Sequence, residues 1–386
     1  MKFSEVNSEW KVEKIEWVSL IGERPRPAGC NARLGVHGKD VPLDFVRVTI
    51  GGKQGFGWSK ISKENAAEII GLTVEDLFTD EGKVQADYYL IEFPLLDWLG
   101  QVTQKPVYEL MTGKKLKDYT VACYDTSIYF NDLHCESDEE AVALIQEQVK
   151  EGLEKGHRSF KLKVGRGAMH MPLDIGMKRD IAIINGVREA TGPSASIMID
   201  ANNGYNLNLT KQVLIETAQA NLTWIEEPFH EDPEYLAELK LWLRQHQLDI
   251  MVTDGEGEAA VPIVNWAKKG YLDAIQYDIR SYGFHNWLEL GAELDDADVK
   301  TAPHNYGASY GNYALAHLAP NINGFLFIEW DEMKIPGVDD SAYVIKEGKV
   351  AVPDLPGFGL KVNNQFFTQM VDDKGWSVEY KEKQQI

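Results

Sequence analysis

The chain has 386 residues, 44% hydrophobic and 26% charged, a composition typical of a soluble globular protein with a large core. Its 39 Lys and Arg residues against 60 Asp and Glu residues give a formal net charge of −21, and the pI is near 4.9. Nucleic acids and anionic membrane surfaces attract basic patches, so we expect neither as a partner.

Cysteine use and the N-terminal sequence indicate the compartment. Cys30, Cys123 and Cys135 form no CxxC pattern, which argues against a disulfide framework or a zinc motif and fits a reducing environment. Residues 1–20 lack the apolar segment of a signal peptide, and no run approaches the roughly 20 apolar residues of a membrane span. We therefore expect a cytoplasmic protein.

Residues 1–118 are predicted to form an α+β domain. Strand and turn patterns fill the first 60 residues, with an irregular segment at 22–35 and a hairpin turn at Gly51-Gly52. Helical patterns follow at about 62–71, 73–79 and 86–103, and the charged stretch 114–118 links this domain to the next.

From residue 119 to 334, strand and helix patterns alternate, which indicates parallel strands joined by crossover helices. Eight such strands favour a closed barrel over a doubly wound sheet. Residues 335–386 are polar and less regular, and we expect them to pack back on the first domain. The predicted strands are 121–126, 158–164, 196–202, 223–228, 249–256, 272–278, 299–304 and 325–331.

Three carboxylates end successive predicted strands and suit a divalent metal ion. Asp200, Glu226 and Glu256 are each about one βα unit apart, so they can converge at the barrel face where active sites lie. Hard oxygen ligands favour Mg²⁺ or Mn²⁺ over zinc. The strand register stays open at this point, so Glu227 could replace Glu226, and Asp254 could replace Glu256.

Two lysines and an Asp/His pair are candidates for proton transfer. Lys161 and Lys163 share one face of a predicted strand, where burial and like charge would lower the pKa of each and allow one to act as a base. Asp278 and His304 end two later strands, and a carboxylate bonded to one imidazole nitrogen orients the ring and raises its basicity.

Other candidates lie near the same strand ends. Asn202 should face the barrel mouth, and Glu329, or failing that Asp331, could hydrogen-bond a substrate oxygen. The connection after Lys163 is longer than a βα unit needs, so we consider Arg166 and His170 as substrate contacts, with a packing loop as the equal alternative.

Together these residues resemble the enolase superfamily and, within it, the mandelate racemase subgroup. The resemblance covers nearly the whole chain and also includes the segments Leu96-Asp97-Trp98-Leu99, Lys105-Pro106-Val107-Tyr108-Glu109-Leu110 and Trp224-Ile225-Glu226-Glu227-Pro228. It implies an α/β fold, a modified TIM barrel of the (β/α)7β type with an N-terminal α+β capping domain. A homo-oligomer is also implied.

The resemblance implies chemistry as well. Mg²⁺ on the three carboxylates binds a substrate carboxylate, Lys161 helps to hold it, and Lys163 and His304 exchange the α-proton from opposite faces, through an enediolate. The capping domain would select the substrate, and its polar segment suits a hydroxylated acid. The expected contacts from this lid are Arg24, Arg26, Arg33 and Trp58.

We therefore expect dehydration of a sugar acid to a 2-keto-3-deoxy acid. Racemisation or epimerisation, and cycloisomerisation, would use the same enediolate and stay open as alternatives. A metal-dependent barrel hydrolase or a non-catalytic binding protein belongs to a different class. Exchange of deuterium at the substrate α-carbon would separate these two from the proton-abstracting enzymes.

Overall fold

The computed structural model describes residues 6–381, and the ends of the two predicted terminal domains lie outside this range. The strands are β1 (Val12–Ala28), β2 (Gly38–Ile50), β3 (Lys53–Trp58), β4 (Thr120–Ile128), β5 (Ser159–Lys163), β6 (Ser196–Asp200), β7 (Trp224–Glu226), β8 (Met251–Asp254), β9 (Ala274–Ile275), β10 (Lys300–Thr301), β11 (Ile328–Trp330), β12 (Val338–Asp339), β13 (Val344–Lys346), β14 (Lys349–Ala351), β15 (Lys361–Val362) and β16 (Trp376–Glu379). The helices are α1 (Lys63–Ile69), α2 (Val74–Leu77), α3 (Glu92–Thr103), α4 (Val107–Thr112), α5 (Asp138–Glu154), α6 (Leu173–Thr191), α7 (Leu207–Glu216), α8 (Pro233–Gln245), α9 (Ile263–Lys268), α10 (Ile279–Tyr282), α11 (Phe284–Asp296), α12 (Tyr310–Leu318) and α13 (Asn364–Lys374).

An antiparallel sheet in the order β16-β1-β2-β3 forms the capping domain together with helices α1 to α4. Gly51 and Gly52 turn the chain between β2 and β3 with φ values of +56° and +71°, the left-handed conformation of a tight hairpin. Because β16 pairs with β1, the C-terminal end of the chain completes this N-terminal sheet.

The segment 22–35 is less irregular than the sequence predicted. Strand β1 continues to Ala28, since Glu23 pairs with Asp40 of β2 and also forms a bridge to Lys334 beyond the barrel. Glu23 thus has a backbone partner on both sides, and Ala28 pairs with Gly38 at the end of the strand. A loop then spans residues 29–37, and we call this loop the lid.

Eight parallel strands within residues 6–381 form the barrel, in the order β10-β9-β8-β7-β6-β5-β4-β11. A parallel bridge between Thr301 and Phe325 brings the chain just before β11 beside β10 and closes the ring. Helices α5, α6, α7, α8, α9, α11 and α12 lie between successive strands. The predicted (β/α)7β barrel is thus confirmed.

The C-terminal segment covers the seam of the barrel as well as the capping domain. In the described part of the chain no barrel helix follows β11; the hairpin β13–β14 pairs with β4 there instead. Helix α13 and β16 then return to the sheet of the capping domain. Our expectation for residues 335–386 therefore describes only the last part of this segment, and the domain boundaries at 118 and 334 stay a proposal.

All three cysteines are free and buried. Among the helices of residues 6–381, none combines the length and the apolar character needed to cross a bilayer.

Candidate active site

Strand register lines up the first functional side chains at one end of the barrel. Lys163 of β5 is paired with Asp200 of β6, and Asp200 is paired with Glu226 of β7. Each is the last residue of its strand. Because paired residues of neighbouring parallel strands lie at the same height, the three side chains form a row at the carboxyl ends.

Glu256 joins this row from beyond the end of β8. Gly255 has a φ of +129°, and a Cβ there would lie 2.9 Å from the backbone nitrogen of Gln276, so glycine alone fits. This turn carries the Glu256 carboxylate to those of Asp200 and Glu226, and one oxygen from each lies within 4.8 Å of the others.

The structure separates the alternatives that the sequence left open. Glu227 has a φ of +42° and turns its carboxylate to the amides of Asn202 (2.8 Å) and Asn203 (3.0 Å). Burial, with the nearby carboxylates of Glu256, Asp200 and Asp254, raises the pKa of Glu227 to about 10. Asp254 is fully buried and accepts the N–H of Gly255. Glu226 and Glu256, not these neighbours, complete the cluster with Asp200.

The lysines are held by carboxylates. Lys161 Nζ lies 2.6 Å from Glu226, 2.9 Å from Glu329 and 3.6 Å from Asp200, while Lys163 is bonded to Asp200. Burial opposes the charged form of both lysines, but Glu226 and Asp200 outweigh it, so the pKa of each is raised above its ordinary value. Our expectation of lowered lysine pKa values is therefore wrong, because the neighbouring carboxylates outweigh both burial and the like charge.

The same contacts shift the pKa values of the carboxyl groups. Burial raises the pKa of Glu226 to about 8, although Lys161 opposes this, and the carboxylates of Asp200 and Glu256 add to the rise. Asp200 is also buried, but Lys163 and Lys161 keep its pKa below the usual value. The cluster thus holds more acidic groups than its two lysines neutralise.

Asp278 and His304 form a hydrogen-bonded pair facing this cluster. His304 Nδ1 lies 3.0 Å from Asp278 Oδ2 and its Nε2 lies 3.1 Å from Glu256 Oε2. Arg280 and the backbone N–H groups of Arg280 and Ser281 fix the Asp278 carboxylate, which caps α10. Burial opposes a charged imidazole, yet Glu256, Glu329 and Asp278 together raise the pKa of His304 to about 9.

Glu329 closes the site from the last barrel strand. Its carboxylate accepts hydrogen bonds from Thr126 Oγ1 (2.6 Å) and from the backbone N–H of Asn305 (2.8 Å), besides the ion pair with Lys161. Burial opposes ionisation, but Lys161 keeps the pKa of Glu329 far below its usual range. Asp331, the fallback, instead accepts the N–H groups of Gly307 and Met333.

Comparison with known proteins identifies this arrangement. The model of the enolase C-terminal domain-like family matches residues 144–366, more than half of the chain. The chain belongs to the enolase superfamily. It is similar over 96% of its length to a galacturonate dehydratase from Geobacillus sp., at 48% identity and a TM-score of 0.93, covering 100% of that chain.

Dehydratases of sugar acids occur among the relatives of this chain. The Geobacillus structure is complexed with D-galacturonate and 5-keto-4-deoxy-D-galacturonate, and a mutant of that enzyme is complexed with Mg (47% identity, TM-score 0.95, 97% of this chain and 98% of that one). An arabinonate dehydratase from Saccharolobus solfataricus is 24% identical over 72% of this chain and 70% of its own length.

Three of the predicted substrate contacts lie near the mouth of the barrel. Asn202 donates to Glu227 and, at 3.4 Å, to Glu256, and its buried Oδ1 has no hydrogen-bond partner in residues 6–381. Arg33 of the lid lines a cavity of about 520 Å³ with Asn202 and Glu256. The guanidinium carbon of Arg280 lies over the Trp58 ring, 5.6 Å from the centre of that ring.

The other predicted contacts have structural partners. Arg166 is buried between Asp132 and Asp180 at 2.6 Å each, so its charge is already neutralised, which favours the packing alternative. His170 Nε2 contacts the carbonyl oxygen of Asn31 at 2.8 Å and anchors the lid.

Two further predicted substrate contacts, Arg24 and Arg26 of strand β1, also have partners within the protein. Arg26 is bonded to Glu151 and Ser127, both at 2.6 Å, which directs it to helix α5 instead of the carboxylate cluster. Arg24 lies over the ring of Tyr306 at 4.6 Å and donates to the carbonyl oxygen of Gly38.

Sequence analysis missed several residues of the site. Gln276 Nε2 donates to Glu226 at 2.8 Å, and Thr126 donates to Glu329. Both lie on predicted strands, two residues before Asp278 and at the end of the first strand, and this position was the available signal. Tyr129 and Tyr306 stack at 5.0 Å beside Lys163, but no charged pattern marks either of them in the sequence.

Proposed function

We propose that this protein is a Mg²⁺-dependent sugar-acid dehydratase acting on hexuronates, with D-galacturonate as the first substrate to test. The observation that carries the proposal is the convergence of Asp200, Glu226 and Glu256 on one point, with Lys163 on one side and the His304–Asp278 pair on the other. The similarity to galacturonate dehydratase over the whole barrel and capping domain supports the choice of substrate.

The residues present fit Mg²⁺. Asp200, Glu226 and Glu256 supply oxygen atoms, the ligand type this ion prefers, and the buried Asn202 Oδ1 beside them lacks a partner in the described part of the chain. When bound, the cation would weaken the hold of Asp200 on Lys163 and stabilise the second negative charge that develops on the substrate carboxylate.

The roles of the side chains follow from their contacts. Lys161 donates to the substrate carboxylate, and Lys163, once deprotonated, removes the α-proton to give the enediolate. His304 carries a proton at neutral pH, because Glu256, Glu329 and Asp278 hold its pKa near 9 against the effect of burial. It gives that proton to the β-hydroxyl, which leaves as water, and the resulting enol takes a solvent proton to become the keto acid.

The expected product matches the sequence-based prediction in its chemistry. In a hexuronate the α-carbon is C5 and the leaving hydroxyl is on C4, so the product is a 5-keto-4-deoxy acid. Counted from the carboxylate, this is the 2-keto-3-deoxy pattern. The open-chain sugar is required, because C5 becomes a carbonyl carbon.

The charge of the cavity at the barrel mouth favours a monoacid. Carboxylates of Glu231, Glu256 and Glu258 line it, together with the guanidinium of Arg33. A second carboxylate on the substrate would meet this acidic wall, so we infer a preference for uronates and aldonates over sugar diacids.

The test is a set of sugar acids assayed with and without Mg²⁺. D-Galacturonate, D-glucuronate, D-galactonate and galactarate are incubated with the protein in D₂O, and keto acids and deuterium labels are identified by mass and NMR. We expect the protein to form a keto acid from a uronate when Mg²⁺ is present and not when it is absent. A deuterium label at the α-carbon without a keto acid would instead assign racemisation or epimerisation. If none of the four acids reacts, the proposal is refuted.

Location and assembly belong to the same proposal. The free buried cysteines fit a reducing compartment, so we place the protein in the cytoplasm. A homo-oligomer is expected from the family resemblance, and light scattering of the purified chain would test it.

A further inference from the structure

The lid carries one imidazole that the proposed proton transfers do not use. His37 is half-buried, and its ring packs edge-on against Tyr129 (4.9 Å between centroids) and Tyr306 (5.8 Å). Lys163 Nζ lies 5.4 Å from the centre of the same Tyr129 ring. Two aromatic rings thus hold His37 next to the base that is proposed to remove the α-proton.

The hydrogen bonds of His37 define which ring nitrogen is free. Nδ1 lies 2.9 Å from the carbonyl oxygen of Gly29, and the backbone N–H of His37 donates to Ala28 and Gly29. A carbonyl oxygen only accepts, so Nδ1 carries the proton and Nε2 keeps its lone pair. The carbonyl oxygen of Gly35 also acts on the ring, and among the described residues no hydrogen bond joins Nε2 to another group.

The surroundings keep this ring neutral. Burial lowers the pKa of His37, and the cations Lys163 and Arg24 lower it further, against the effect of the Gly29 and Gly35 carbonyl groups. A neutral imidazole with its Nε2 unengaged accepts a hydrogen bond from a hydroxyl group. It offers nothing to a carboxylate, which has no proton to donate.

We propose that His37 is a specificity-determining residue, whose Nε2 accepts a hydrogen bond from a hydroxyl group on the sugar chain beyond the leaving group. This deepens the proposed function and rests on it. Because Gly29 and the two tyrosines fix the ring before substrate binds, the contact would select polyhydroxylated acids with little ordering of the lid. For a hexuronate, the hydroxyl groups on C2 and C3 are the candidates.

The test compares substrates that lack one hydroxyl with variants that lack the acceptor. Wild type, His37→Leu, His37→Gln and the exposed control His246→Leu are assayed on D-galacturonate and its 2-deoxy and 3-deoxy analogues. In wild type and in the control, we expect one deoxy analogue to lose about 10-fold in kcat/KM. In His37→Leu, galacturonate itself should lose about 10-fold, and that analogue should lose nothing further.

His37→Gln keeps an acceptor and should restore part of the discrimination, and it carries the test if His37→Leu does not fold. If wild type and the folded His37 variants discriminate equally between galacturonate and its deoxy analogues, the role of His37 is overturned and the proposed function is not. If wild type forms no keto acid from any uronate or aldonate, the proposed function fails and this inference fails with it.

Discussion

The site depends on a few side chains whose charges are set by their neighbours. Lys161 and Lys163 form buried ion pairs with carboxylates of the cluster, and His304 is fixed by Asp278 on one side and Glu256 on the other. The chemistry of each group therefore has to be argued from its partners and not from its residue type alone.

The Asp278–His304 hydrogen bond gives a prediction at this scale. Asp278→Asn removes the negative charge that orients His304, so we expect kcat on the uronate to fall about 100-fold with little change in KM. Steady-state kinetics measures both values. Asp298→Asn, at an exposed surface position, is the matched control and should behave as wild type.

An unchanged kcat for Asp278→Asn would contradict the role given to the pair. Circular dichroism and thermal unfolding of the variant would show whether a loss of kcat results only from loss of the folded state.

At the scale of elements, short turns past the strand ends determine the geometry of the site. Gly255 carries Glu256 to the cluster through a φ that side chains rarely adopt, and an added Cβ would contact the backbone of Gln276. We expect Gly255→Ala to weaken Mg²⁺ binding by about 10- to 100-fold, as disturbing the support of a ligand does. Titration calorimetry measures this.

Gly257→Ala is the matched control, since Gly257 also has a positive φ (+63°) but a Cβ there would meet open space. Comparable Mg²⁺ affinities for the two variants would refute the account of how Glu256 reaches the cluster.

The loop after β5 gives a second prediction at this scale. Arg166 is buried between Asp132 and Asp180, so Arg166→Met should leave two uncompensated carboxylates and lower the free energy of unfolding by about 3–5 kcal/mol. Chemical denaturation checks it. Unchanged stability together with a raised KM would instead restore the substrate contact that the sequence analysis considered.

For the whole molecule, the alternating pattern and the charged strand ends were sufficient to predict the barrel and its strand order. They also placed Asp200, Lys163 and His304 at strand ends, because a parallel barrel brings every such end to one face. The choice of Glu226 and Glu256 needed the backbone turns at Glu227 and Gly255, which local pattern does not reveal.

Long-range pairing was the main limit of the sequence analysis. The return of β16 to β1, the bridge of Glu23 to Lys334 and the ion pairs of Arg166 join residues far apart in the chain. Likewise, the lysine pKa values depend on which carboxylates lie within ion-pair distance, and the sequence alone supplied only the neighbouring lysine.

A buried histidine on barrel helix α12, bonded to helix α4 of the capping domain, makes stability depend on pH. His317 accepts the backbone N–H of Tyr108 at Nδ1 and donates from Nε2 to Tyr343, and burial lowers its pKa to about 3. The unfolded chain, with an ordinary histidine value of 6.5, therefore binds a proton first. Stability is complete above that pH and falls as pH drops from there toward 3.

We expect this residue to cost about 2 kcal/mol of unfolding free energy between pH 7.5 and pH 5. Denaturation of wild type and His317→Gln at both values gives the comparison, and the variant should lose about 2 kcal/mol less. Equal losses in the two proteins would show that other groups cause the acid sensitivity.

The measurement that tests the central claim most directly is the incubation of D-galacturonate with wild type and Lys163→Ala in D₂O containing Mg²⁺. Abstraction of the α-proton and loss of the β-hydroxyl predict a 5-keto-4-deoxy acid with one solvent deuterium at C4, formed by wild type and not by Lys163→Ala. Unchanged galacturonate, or the same product from both proteins, would contradict the account.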